Sequence, residues 1–162
     1  MELVSEAIAF AVKAHDGMRR KKSGVPYILH PMEASVIVGT MTDDQNLIAA
    51  AVLHDVVEDA GITLEEIKEK FGQRVWELVR SETEDKRADL PPASTWRIRK
   101  EESLEVLKNT EDIGVLMVWL AISSPICVRS TGIGRWKAML CGKDLIRRMP
   151  RNKLGTTAQL LL

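Results

Sequence analysis

Apolar residues recur at helical spacing from the start of the chain. Leu3, Ala7, Ile8, Ala11 and Val12 line one side of "LVSEAIAFAVKAH" and predict an amphipathic helix. "DGMRRKKSGVPY" breaks that pattern with Gly, Ser and Pro and carries the basic run Arg19 to Lys22, so it reads as a loop. "HPMEASVIVGTM" resumes the pattern as a second helix, whose first turn accommodates Pro31. "QNLIAAAVLHDVVEDAG" follows a capping "TDD" and stops at Gly61. "TLEEIKEKFG" opens on a capping box, Thr63 with Glu66. "QRVWELVRSETED" continues as a helix. Beyond the loop "KRADLPPAS", "TWRIRKEESLEVLKN" and "EDIGVLMVWLA" complete the pattern. No period-2 alternation of useful length interrupts it. The expected fold class is all-α, a bundle of about six helices.

A chain of 162 residues, 45% of them hydrophobic, has enough apolar surface for one compact domain. The net charge of +0 gives no global pull toward nucleic acid or a membrane. Cys127 and Cys141 lack metal or redox spacing, which suggests a reduced compartment. No apolar run reaches spanning length, and "MELVSEAIAF" lacks the basic start of a signal peptide. The expectation is a soluble, cytoplasmic protein with no membrane or nucleic-acid partner. The charge is unevenly spread, however. Residues 1–121 hold 15 Lys/Arg against 22 Asp/Glu, whereas residues 122–162 hold 8 Lys/Arg against the single acid Asp144. The character of the chain changes at about residue 122.

The candidate chemistry lies in "AAAVLHDVVEDAG", where His54, Asp55, Glu58 and Asp59 follow an apolar run. On a continuous helix these four span roughly 140° of one face, and Leu47, Ile48 and Ala51 extend that face toward the N-terminus. Charge at the end of a core-facing stripe is costly unless it is paired or bound to a metal. An imidazole beside a carboxylate suits a divalent ion, and acids one turn further on can handle a water. A solvated helix end remains the alternative for Glu58 and Asp59 alone. His30 opens a helix after "PYIL" and is placed to point inward, while a surface or structural role is expected for His15.

The ordered set "AFAVKAHDG…RKKSGVPYILHP…AAAVLHDVVEDAGITLEEIKEKFG" resembles the hydrolase domain of RelA/SpoT-type alarmone enzymes. It is closer still to the small, stand-alone alarmone hydrolases of the HD superfamily, over about residues 7 to 121. "PYI-x-HP" together with "LHD-x-VED" makes the resemblance specific. It implies an HD-domain helical bundle, one divalent ion, most often Mn2+, and removal of the 3′-pyrophosphate from guanosine tetra- or pentaphosphate. It implies His30, His54 and Asp55 as metal ligands and Glu58 and Asp59 as the acidic pair for the attacking water. Lys21 and Lys22 match the family's basic pair, with Arg20 adjoining them in a run suited to a polyphosphate. Trp96 and Arg97 are candidates to line the nucleotide pocket. The alternatives are another HD-type nucleotide phosphohydrolase and a nucleotide-binding protein without catalysis.

The resemblance stops at residue 121. The family's fourth ligand is an aspartate in an "L-A-D-K-L-x-N-x-R" segment, and Ile122 stands in its place. One base inserted after codon 121, with synonymous codons chosen downstream, restores A-D-K-L-S-N and a family-like continuation. The chain therefore divides into a phosphohydrolase domain, 1–121, and an aberrant, irregular basic tail, 122–162, read as a one-base frameshift. A nucleic-acid-binding tail is the competing reading, but no helical basic stripe or recognised motif supports it.

Overall fold

The computed structural model describes residues 2–21, 23–84, 87 and 90–123. Eight helical segments run in order among them: α1 (Leu3–Ala14), α2 (Leu29–Gly39), α3 (Gln45–Leu53), α4 (Val56–Asp59), α5 (Leu64–Phe71), α6 (Gln73–Glu82), α7 (Pro92–Asn109) and α8 (Ile113–Ile122). The described residues contain no strand, only an isolated antiparallel bridge between Arg19 and Pro26. The fold is all-α, as the periodicity predicts. Lys22 and residues 124–162 lie outside the described residues, and so does nearly all of the tail expectation.

The helix α3 is the axis of the molecule. Its "AAAVL" run, Ala49 to Leu53, is fully buried, as an apolar helix must be when neighbours cover every side. Those neighbours are α1, α2, α6 and α8. Their inward faces supply Ala7 and Ala11 from α1, Ala34 and Val38 from α2, and Leu78 and Val79 from α6. Three alanines in succession let the surrounding helices approach closely, so residues at the end of α3 are enclosed by several elements at once.

The boundaries follow local chemistry. Asp44 caps α3 by accepting the Asn46 amide at 2.8 Å. Thr63 and Glu66 form the expected capping box on α5. Asp112 caps α8 through the Gly114 amide at 2.8 Å and accepts from Arg74 of α6 at 2.9 Å, tying the two helices together. The helix α7 begins three residues earlier than the loop reading expects, because Pro92 sits at N1, where its missing amide costs nothing.

One departure shapes the site. The stretch 45–61 is not one helix. It ends at Leu53, turns through His54 and Asp55, and restarts as the single turn α4. The Ala51 carbonyl, which a continuing helix would offer to the Asp55 amide, lies 2.8 Å from His54 Nδ1. Asp55 adopts φ −95° and ψ −8°, away from ideal helix values. The 140° arc drawn on a continuous helix therefore does not apply. The break also accounts for one of the helical segments beyond the six or so expected. Among the described residues no helix is long and apolar enough to cross a membrane.

Candidate metal centre

The turn at the end of α3 delivers His54 and Asp55 to the first turn of α2, where His30 enters from the neighbouring helix. His54 and His30 are 4% and 7% exposed, so both imidazoles are removed from bulk solvent. His54 Nε2 lies 3.1 Å from Asp55 Oδ2 and 3.3 Å from His30 Nε2, and His30 Nε2 lies 3.4 Å from Asp55 Oδ2. Three donor atoms thus form a nearly equilateral triangle. An ion about 2.1 Å from each of two donors separates them by about 3.0 Å at octahedral angles and about 3.4 Å at tetrahedral ones. The triangle fits a first-row divalent ion.

The orientation of His54 supports the same use. A carbonyl only accepts, so Nδ1 carries the proton toward Ala51, and Nε2 of the neutral ring turns its lone pair to the triangle. Burial opposes charge on this ring. The Asp55 carboxylate, the Ala51 carbonyl and the more distant Glu82 outweigh it and raise His54 to about 9. Burial alone would raise Asp55 as well. The His54 and His30 rings and the Tyr27 hydroxyl instead hold it well below the usual carboxylate range.

Tyr27 was not singled out by sequence, yet it joins the two acidic positions. Its hydroxyl lies 2.8 Å from Oδ2 of both Asp55 and Asp59, so one proton serves two carboxylates. Burial and those two acceptors push its own ionisation up. The loop 18–27 places it by folding back on itself: Arg20 N–H donates to Val25 at 3.0 Å and Tyr27 N–H to Met18 at 2.9 Å. Tyr27 stands three residues before His30 inside the "PYI-x-HP" signature, and that spacing is the signal that could have found it. Tyr27→Phe is expected to cost about 1.5–3 kcal/mol in urea unfolding, the range for a hydrogen bond to a charged acceptor. An unchanged midpoint would mean that solvent serves both carboxylates equally well.

Glu58 Oε1 accepts from the Glu84 backbone N–H at 2.7 Å, which fixes this acid against the chain leaving α6. Glu84 is in turn held by Arg99 at 2.8 Å and Lys100 at 2.6 Å, so α7 reaches Glu58 through one intermediate residue. Asp59 is exposed, and its Oδ2 accepts from Tyr27. His15 is buried, its ring centre lies 5.1 Å from that of Tyr27 at a 46° tilt, and Nδ1 approaches the Met18 sulfur at 3.4 Å, which fits the structural role rather than the surface one.

The proposed phosphate and nucleotide residues are placed less uniformly. Arg20 is buried, with its guanidinium 5.9 Å from the Tyr27 ring centre, whereas Lys21 is exposed and Lys22 lies outside the described residues. Trp96 is half-buried on α7. Arg97 is open to solvent and bonds Glu101 along its own helix at 2.8 Å. Ile122, the last residue of α8, packs against the apolar core.

Residues 7–123 match the family model described as HD domain. The chain belongs to the HD domain family. The HD domain here is 36% identical over 119 residues to the GTP pyrophosphokinase rsh of Brucella ovis, covering 74% of this chain and 16% of that one. It is 43% identical over 82 residues to the guanosine-3′,5′-bis(diphosphate) 3′-pyrophosphohydrolase of Aquifex aeolicus, covering 51% of this chain and 12% of that one. The chain thus spans less than a fifth of the length of these curated relatives. A solved structure of a metazoan orthologue of SpoT, described as hydrolysing ppGpp and acting in starvation responses, superposes with a TM-score of 0.72. That pair is 26% identical and covers 99% of this chain and 92% of the other.

Proposed function

We propose that this HD domain hydrolyses the 3′-pyrophosphate of guanosine tetra- or pentaphosphate, with Mn2+ held by His30, His54 and Asp55. The observation that carries the reading is the triangle of Nε2, Nε2 and Oδ2 atoms, with edges of 3.1 to 3.4 Å, which His30 closes from 24 residues before His54. The similarity to proteins described as acting on these nucleotides supports the substrate class.

A bound divalent ion supplies Lewis-acid polarisation of a phosphoryl oxygen and offsets its charge. The residues of the chain do the rest. Glu58, oriented by the Glu84 amide, takes the proton of the attacking water, and Asp59, tethered through Tyr27, holds that water in line. The water oxygen bonds to the 3′-phosphorus as the bond from that phosphorus to the ribose 3′-oxygen breaks. The proton is returned to the 3′-oxygen, which becomes a hydroxyl, and pyrophosphate departs with the water's oxygen. Arg20, Lys21 and Lys22 offset the charge of the remaining phosphates, and Trp96 and Arg97 border the nucleotide. Cys127 and Cys141, with no redox spacing, support a reduced, cytoplasmic setting.

The test is pyrophosphate release from guanosine 3′,5′-bis(diphosphate) by the full chain, with and without Mn2+. Release that needs Mn2+ is expected. Tight Mn2+ binding and nucleotide binding without turnover would make the chain a binding protein, a result that Ile122 in the position of a ligand would explain. Release from other nucleotides but not from this one would assign a different phosphohydrolase.

A further inference from the structure

Glu82 is an acid in an unfavourable place. It closes α6, where the helix dipole already presents negative potential. It stands three and four residues after Val79 and Leu78, on the face that those residues bury in the core. Its stem retains some exposure, but Oε1 is shut off from solvent and has no hydrogen-bond partner among the described residues. Its carboxyl feels the like charges of Glu58 and Glu84, and the nearest relief comes from His54 and Lys100. An enclosed carboxylate without a donor, at the negative end of a helix and beside two more acids, is destabilising unless a cation sits close to it.

The metal centre, whose His54 is among the charges this carboxyl feels, is short of negative charge. Two neutral imidazoles and one carboxylate leave a divalent ion with a net positive charge, and the position of the family's fourth ligand holds Ile122, packed into the core. Glu82 is not among the donors that lie within 4.8 Å of one another, so in this conformation it acts as a neighbouring charge rather than a donor. We propose that Glu82 is the second carboxylate of the metal centre, a positioning residue on α6 that balances the charge left by His30, His54 and Asp55. This inference rests on the metal-centre reading above.

The experiment is Mn2+ titration of the full chain by calorimetry, on the unaltered protein and on Glu82→Gln, Glu82→Asp and Asp55→Asn. Glu82→Gln keeps the shape and removes the charge, and is expected to weaken Mn2+ binding about 10- to 100-fold, as loss of an outer partner does. Glu82→Asp retains the charge and is expected to recover most of that loss, which a purely structural role would not produce. Thermal unfolding in EDTA checks folding: Glu82→Gln should melt no lower than the unaltered chain, since it removes an enclosed acid. Equal Mn2+ affinity in Glu82→Gln, with affinity lost in Asp55→Asn, overturns the role of Glu82 and leaves the centre standing. Unchanged affinity in Asp55→Asn overturns the metal-centre reading, and this proposal with it.

Discussion

Asp55→Asn is expected to cut divalent-ion affinity by at least about 100-fold, the upper end of what outer partners cost, and to stop pyrophosphate release. Asp55 is the one anionic corner of the triangle, within 3.1 to 3.4 Å of both imidazole Nε2 atoms, and it also accepts from Tyr27. An amide keeps the shape but removes the charge that attracts a hard cation. Glu58→Gln separates binding from chemistry in the same assay. Glu58 is held by the Glu84 amide outside the triangle, so its loss should leave the ion bound while turnover falls about 10²- to 10⁴-fold, the range for a lost general base. Titration calorimetry and pyrophosphate release, run on both variants, read the two effects. If Asp55→Asn bound Mn2+ normally, the triangle would be a buried proton-sharing cluster and not a metal site.

The reason these residues were legible lies in their type and spacing. Histidine and aspartate side by side after "AAAVL" violate the apolar pattern, and a violation inside a core stripe needs a chemical reason. His30 was legible because "PYI-x-HP" sets it at a helix entry. The break at His54 and Asp55 was not legible, since it depends on a side chain taking the Ala51 carbonyl, which leaves no mark on periodicity. Tyr27 was obscured for a related reason: the loop reading of 16–27 was right about composition but silent about the backbone pairing of Arg20 with Val25 and of Tyr27 with Met18 that positions it. Glu82 left a trace in its spacing from Leu78 and Val79. An acid in the last turn of a helix ordinarily frays into solvent, so nothing in the sequence singled it out. The charges it feels come from elements distant in sequence, Glu58 of α4 and Lys100 of α7.

The metal-free protein is expected to lose several kcal/mol of stability as the pH rises from about 5 to about 9. Glu82 ordinarily ionises near 4.5, but burial, with Glu58 and Glu84 nearby, carries it to about 8 in the folded chain. Between those values the folded state keeps a proton that the unfolded state has lost. The stabilisation is therefore complete below 4.5 and disappears as pH rises through about 8. His54 acts in the same direction, from 6.5 to about 9. Asp55 acts in the opposite one: held below its ordinary 3.8, it stabilises above that value and loses the contribution as pH falls further. A tenfold difference in proton affinity between the folded and unfolded chain corresponds to about 1.4 kcal/mol. The two raised groups together are therefore a large part of a typical domain stability of about 5–15 kcal/mol. Urea unfolding in EDTA at several values between about pH 5.5 and 9 measures the slope. Glu82→Gln should flatten its lower part and leave the His54 limb above about pH 7. A divalent ion should flatten the His54 limb instead, since it takes the Nε2 lone pair that the proton occupies. A profile in EDTA that stays level across that whole range would mean that neither buried group holds its proton in the folded chain.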